Sequence, residues 1–111
     1  LGQEFYEVVD FASAVKAGGI IDPDTVKWWM GQSDEARGAF LFARMSIERV
    51  LDRLDSWLSL CNAPSGTRKV WGNGASFDNV ILSETYKRLE REVPWAFWND
   101  RCYRTAKNMF P

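Results

Sequence analysis

Histidine is absent from all 111 residues. Its absence excludes Ser-His-Asp and Cys-His nucleophile systems, His-containing zinc sites and an imidazole general base from anything this chain does by itself. Cysteine is scarce. Cys61 and Cys102 allow one disulfide at most, and two free thiols in a reducing cytoplasm are the simpler expectation. No apolar run approaches the roughly 20 residues of a membrane span, and no signal-peptide pattern opens the chain. A cytoplasmic protein without membrane contact is expected.

Excess charge of one sign is also missing. Lys and Arg number 14 against 15 Asp and Glu, a net charge of −1. Architectural binders of duplex nucleic acid show a basic excess, so that class is disfavoured. Metal-using chemistry on phosphates stays open, because bound cations neutralise phosphate and carboxylate together. The side chains left for catalysis are carboxylates, Lys and Tyr, with any further groups supplied from elsewhere.

What is present is apolar and aromatic. Hydrophobic residues make up 46% and aromatics 14%, with six Trp, enough for a core and against disorder. Each large ring must be buried or stacked. Residues 1–111 have the length of a single domain. The chain starts Leu1-Gly2-Gln3-Glu4 without an initiator Met, so a processed or partial chain is expected.

Residues 4–9 are rich in aromatic and β-branched residues with partial alternation and predict a short strand. Residues 10–17 predict a helical turn closed by Gly18 and Gly19. Asp22 and Pro23 mark a helix start, as cap and first helical residue, for a helix carrying Val26, Trp28, Trp29 and Met30 up to Gly31. Ser33, Asp34 and Glu35 begin another, with Ala36, Ala39, Phe40 and Ala43 as its apolar body. Ile47, Val50, Leu51, Leu54, Trp57, Leu58 and Cys61 fall at helical spacing and predict a long amphipathic helix that covers a sheet. Residues 62–67 read as a loop, 68–71 as a strand, and a helix opens at Ser76 or Phe77. Pro94 breaks the next pattern. Residues 96–99 predict a strand, and 102–109 a final helix.

The chemistry concentrates in Val70-Trp71-Gly72-Asn73-Gly74-Ala75-Ser76-Phe77-Asp78-Asn79. A strand delivers the chain to a glycine-flanked turn, and the next helix begins near an acid. Ligands of open α/β sheets bind at the carboxyl ends of strands. Asp78, in the first helical turn, faces that crevice if Phe77 faces the core, and a carboxylate there holds a hard divalent cation. By itself the same pattern also fits a glycine turn in which Asp78 only stabilises a helix N-terminus.

Residues 71–78 resemble the second exonuclease motif of DnaQ-like DEDD nucleases, in which a strand ends in a polar Asn/Gly turn followed by Phe-Asp on a helix. The spacing of Asn73 to Asp78 also resembles oligoribonucleases. Asp24-Thr25-Val26-Lys27-Trp28-Trp29, Gln32-Ser33-Asp34-Glu35-Ala36-Arg37 and Pro94-Trp95-Ala96-Phe97-Trp98-Asn99-Asp100-Arg101 are similar, in order and spacing, to the phage exonuclease A-like and exonuclease VIII-like group and its mycobacterial exoribonuclease relatives. The resemblance implies an α/β, RNase H-like mixed sheet of five strands flanked by helices. It implies a 3′-to-5′ exonuclease that hydrolyses terminal phosphodiesters of DNA or RNA with two divalent ions, Mg²⁺ or Mn²⁺. Of the acids that hold those ions, the resemblance maps one here, Asp78. It implies that an Asp-x-Glu strand precedes Leu1 and that a His and a last Asp follow Pro111. On that reading the chain is the middle of an exonuclease, inactive alone, with exposed strand edges that favour a homo-oligomer or strand-swapped assembly. A catalytically inactive module that binds nucleic acid or protein is the alternative.

Other candidates come with two readings each. Trp28 and Trp29 point about 100° apart on one helix, so one packs while the other lines a groove; Trp29 and Thr25 are the cleft-facing choices, for stacking a 3′-terminal base. Asn73 hydrogen-bonds a sugar or phosphate, or closes its turn. Arg101 and Arg104 follow a predicted strand end and bind phosphate, or else pair with Asp100 in a solvated cluster. Arg88, Glu90, Arg91 and Glu92 read as an ordinary exposed helix face.

Overall fold

Each of the first four helices begins at a short polar side chain that satisfies an open N–H of its first turn. In the computed structural model, which describes residues 3–61 and 63–110, Asp10 caps α1 (Phe11–Lys16) by accepting from Ser13 N–H at 3.1 Å. Asp22 caps α2 (Pro23–Met30) by accepting from Thr25 N–H at 3.0 Å, with Pro23 in the first helical position. Ser33 accepts from Ala36 N–H at the start of α3 (Asp34–Leu41). Ser46 does the same for Arg49 N–H at the start of α4 (Ile47–Leu60). These starts match the expected ones, although α3 stops before Ala43, and the Phe40 side chain lies outside the described residues.

The chain divides into two compact units, Leu1–Trp57 and Leu58–Pro111. In the first, α4 supplies the buried residues Ile47, Val50 and Leu51. Burying one such side chain contributes roughly 1.5–3 kcal/mol. The Ser13 hydroxyl ties α1 to α4: it donates to Asp10 O at 2.7 Å and accepts from Ile47 N–H at 3.0 Å. Residues 4–9 do not form the expected strand. Their one ladder contact is a parallel bridge between Val9 and Met45, reinforced by Asp10 N–H to Met45 O at 2.7 Å. The segment instead lies along α4, where Phe5 meets Trp57 at 5.9 Å between ring centroids and Glu7 pairs with Arg53 at 2.7 Å. A strand needs a neighbouring backbone, and here a helix takes that place.

The second unit carries the sheet. A 3₁₀ turn (Ser65–Thr67) leads to β1 (Val70–Gly72); α5 (Asp78–Arg88) crosses over; a second 3₁₀ turn (Phe97–Asn99) leads to β2 (Asp100–Cys102) and then α6 (Tyr103–Met109). β1 and β2 run parallel with Val70, Trp71 and Gly72 beside Asp100, Arg101 and Cys102. Parallel strands require such a crossover. The result is α/β, with two strands among the described residues rather than the five-stranded sheet that the resemblance implied. Both strands begin later than expected. Arg68 is diverted before β1, its guanidinium donating to Ala63 O, Pro94 O and Leu58 O. Residues 97–99 coil because Trp95 Nε1 reaches forward to Asp100 Oδ1 at 2.7 Å and the Asn99 amide donates back to Gly66 O. Their aromatic content signalled strand propensity, but tertiary hydrogen bonds won. Of the loop expected over 62–67, Asn62 lies outside the described residues.

Beyond α5, Glu90 N–H bonds Lys87 O and Arg91 N–H bonds Tyr86 O, the two bonds of a Schellman motif, with Glu90 at φ 56°. The residue in that position is ordinarily Gly, because a Cβ crowds the left-handed region. Glu90→Gly is therefore expected to stabilise the protein by about 0.5–1 kcal/mol. An unchanged or lowered denaturation midpoint would show that the Glu side chain compensates.

Candidate functional site

Because Gly72 and Cys102 are in register, the segments leaving β1 and β2 emerge side by side at the carboxyl end of the sheet. After β1, residues 73–77 form a tight turn in which Gly74 O accepts from both Phe77 N–H (2.8 Å) and Asp78 N–H (3.0 Å). Asp78 is the first residue of α5 and is exposed, and its carboxylate has no hydrogen-bond or ion-pair partner among the described residues. From the other strand, Arg104 on α6 lays its guanidinium over the same turn; a Cβ built on Gly74 would stand 3.2 Å from Arg104 Nη2. Asn73 is exposed between the two glycines. Turn, carboxylate and guanidinium thus gather at one place.

Phe77 does not face the core as anticipated. It is 67% exposed, and the buried residue of this stretch is Asn79. The Asn79 amide donates to Val70 O and to Asp100 Oδ1, both at 3.0 Å, which joins α5 to both strands. Trp95, also buried, donates to the same Asp100 oxygen. The Asp100 carboxylate is thereby held by neutral donors, and neither Arg101 nor Arg104 pairs with it. Sequence reasoning passed over Asn79 and Trp95 and set Asp100 in a cluster with Arg101 and Arg104, whereas its carboxylate is bound by the Asn79 amide and the Trp95 indole; a polar residue one position after the acid was the available signal. The same packing explains Gly72, where any Cβ would come within 2.6 Å of Asn79 Oδ1 and 3.2 Å of Asp78 Cβ.

The remaining candidates lie elsewhere. Arg101 points to the opposite side of the sheet from Asp100, donating to Trp98 O and Asp100 O at 3.0 and 3.1 Å. Thr25 and Trp29 belong to the first unit, where they line an apolar cavity of about 940 Å³ with Ile21, Met30, Leu41 and Arg37. The Thr25 hydroxyl is already committed to Asp22 Oδ2 at 2.8 Å. Trp28 is exposed while Trp29 is half-buried, the two rings meeting edge to face at 5.0 Å.

Hard divalent cations take about six oxygen ligands. Among the described residues no group of three or more His, Cys, Asp or Glu is placed to hold a metal ion. Asp78 offers one open carboxylate and one Asp100 oxygen already accepts two hydrogen bonds, so the described residues do not make a divalent-cation site by themselves.

Neither cysteine forms a disulfide among the described residues. Cys102, at the end of β2, has its pKa lowered to about 7 by the Thr105 hydroxyl and by backbone N–H groups of Ala75, Thr105 and Arg104, against a smaller opposing effect of burial. The Ala75 contact comes from the turn after β1, so the two strand ends are joined here as well.

A family model described as the 3′-5′ exoribonuclease Rv2179c-like domain matches residues 1–111. The chain belongs to this family. It is accordingly a 3′-5′ exoribonuclease-like domain, and the turn at Gly72–Asp78 lies within the matched region. No curated protein and no solved structure matches the chain.

Gly72→Ala in this Rv2179c-like domain should destabilise it by about 1–3 kcal/mol, because the new methyl forces the Asn79 amide out of its place. Denaturant unfolding with an unshifted midpoint would contradict that packing. Alkylation of Cys102 by iodoacetamide should rise with pH around 7 rather than near 8.5, since the thiolate is the nucleophile. Thr105→Val should move that rise upward, and a rate profile unchanged by the substitution would show that the hydroxyl has no such effect.

Proposed function

We propose that this chain contributes the second acidic motif of a metal-dependent 3′-5′ exonuclease that removes nucleotides from 3′ ends of single-stranded DNA or RNA. The reading extends the Rv2179c-like match to the DnaQ-like, RNase H-like class and to its phage exonuclease A-like and VIII-like group. One observation supports it above the others: an exposed carboxylate without a partner among the described residues, Asp78, opens the helix directly after a Gly-Asn-Gly turn at the carboxyl end of a parallel strand. At the first position of α5 the charge also complements the helix dipole, a role that leaves both oxygens open to a ligand.

The cofactor that the reading calls for is Mg²⁺ or Mn²⁺, with Asp78 supplying one ligand oxygen and the other acids coming from outside these 111 residues. Arg104, held over the Gly74 backbone, places a cation beside the turn, where it orients a phosphate by charge and by its forked donors. Asn73 has no packing role that competes with a hydrogen bond to sugar or phosphate. Thr25 and Trp29 line an apolar cavity of the first unit, and for Trp29 stacking against a base is the role proposed.

In the full-length protein, Asp78→Asn should lower release of mononucleotides from single-stranded RNA or DNA by a factor on the order of 10² or more. Its circular dichroism should match the wild type, because the lost charge makes no contact. Turnover retained in a folded Asp78→Asn protein would remove this carboxylate from the reaction.

A further inference from the structure

The two units differ in charge. Leu1–Trp57 holds six Lys and Arg against ten Asp and Glu, a net −4, while Leu58–Pro111 holds eight against five, a net +3. The near neutrality of the whole chain conceals a basic second unit, and that unit also exposes large aromatic rings.

The faces of the β1–β2 sheet show where these features meet. Gly72 faces Asn79 and Asp78 of α5, and its register partner Cys102 interacts with the turn at Ala75. Val70 and Asp100 share that side by strand alternation, and Asp100 is indeed bound to Asn79 there. Trp71 and Arg101, paired in register, therefore share the opposite face. Trp71 is 56% exposed. Arg101 leans along the strand to Trp98 O at 3.0 Å, and Trp98 (66% exposed) stands edge to face with Phe97 (79% exposed), 5.1 Å between centroids. Lys69, in the segment that leads into β1, is exposed.

We infer that this outer sheet face, carrying Trp71 and Arg101, together with the exposed Lys69, Trp98 and Phe97 of the segments that lead into the two strands, is a docking platform for single-stranded nucleic acid, distinct from the turn that carries Asp78. Exposed rings on a sheet give unpaired bases flat surfaces to stack on, and flanking cations follow the phosphates. The positive balance of this unit complements a polyanion. Duplex hides its bases, so the chemistry selects single strands. The inference rests on nucleic acid being the substrate, as proposed above, but it uses none of the residues given a part in hydrolysis.

The test is fluorescence anisotropy with a short fluorescein-labelled single-stranded oligoribonucleotide, using the full-length protein. Wild type should bind, and more weakly as salt rises. Trp71→Ala and Trp98→Ala should each raise Kd about fivefold or more, with Trp71→Phe recovering most of the loss. Asp78→Asn should bind as wild type while failing to release nucleotides, which separates failure of the platform from failure of the nuclease reading. If Trp71→Ala does not fold, the double substitution Lys69→Gln and Arg101→Gln decides, by a flatter salt dependence. Absence of wild-type binding, or unchanged affinity in the folded variants, overturns the platform. So does sedimentation showing that Trp71→Ala splits a dimer while oligonucleotide affinity stays the same, since the face would then join two copies of the chain.

Discussion

The Asn79 side chain occupies the space between β1, β2 and the helix that connects them, donating to Val70 O and Asp100 Oδ1 from a buried position. Two strands of three residues each have little ladder to hold them together. A buried amide that bridges helix and strands supplies what the short ladder lacks, and an unsatisfied partner there would cost about 1–3 kcal/mol. Trp95 completes the arrangement by donating to the same Asp100 oxygen. Arg68 secures the approach to β1 through three backbone carbonyls. Hydrogen bonds, more than apolar bulk, organise this half of the chain.

That arrangement places the chemistry. With Asn79 turned inward, Gly72 has no room for a side chain, the turn after it closes on Gly74 O, and Asp78 is left at the helix start with its carboxylate facing solvent. The neighbouring acid, Asp100, is tied up by neutral donors. One acid is thus structural and the other open, although both lie at the ends of the same small sheet. Environment separates their roles, as it does wherever two carboxylates share a neighbourhood.

The first unit is built on another principle. α4 buries Ile47, Val50 and Leu51, and residues 5–9 are laid along it by one aromatic contact, one ion pair and one bridge. The Glu7–Arg53 pair is partly exposed and contributes little by itself. Its use is to set the position of the segment beside Phe5 and Trp57. Many large apolar side chains stay exposed in both units, among them Ile20 and Tyr6 in the first and Phe97 in the second.

Helix starts were legible in the sequence because capping is local: Asp10, Asp22, Ser33 and Ser46 each satisfy a donor within three residues. The amphipathic run from Ile47 was legible for the same reason, since periodicity needs no knowledge of the partner. The turn from Gly72 to Asp78 was read correctly as a strand-to-helix junction. Its inward residue was not, because whether Phe77 or Asn79 is buried depends on what lies across the sheet, and an amide that finds two acceptors displaces a ring that finds none. Strand positions failed for a related reason. Residues 4–9 and 96–99 have strand-forming composition, but pairing is a property of two segments, and Trp57, Asp100 and Gly66 offered them other contacts. Local spacing therefore determined the helices and the position of the acid. Long-range hydrogen bonds alone decided which strands exist, which carboxylate is free and which face of the sheet meets solvent.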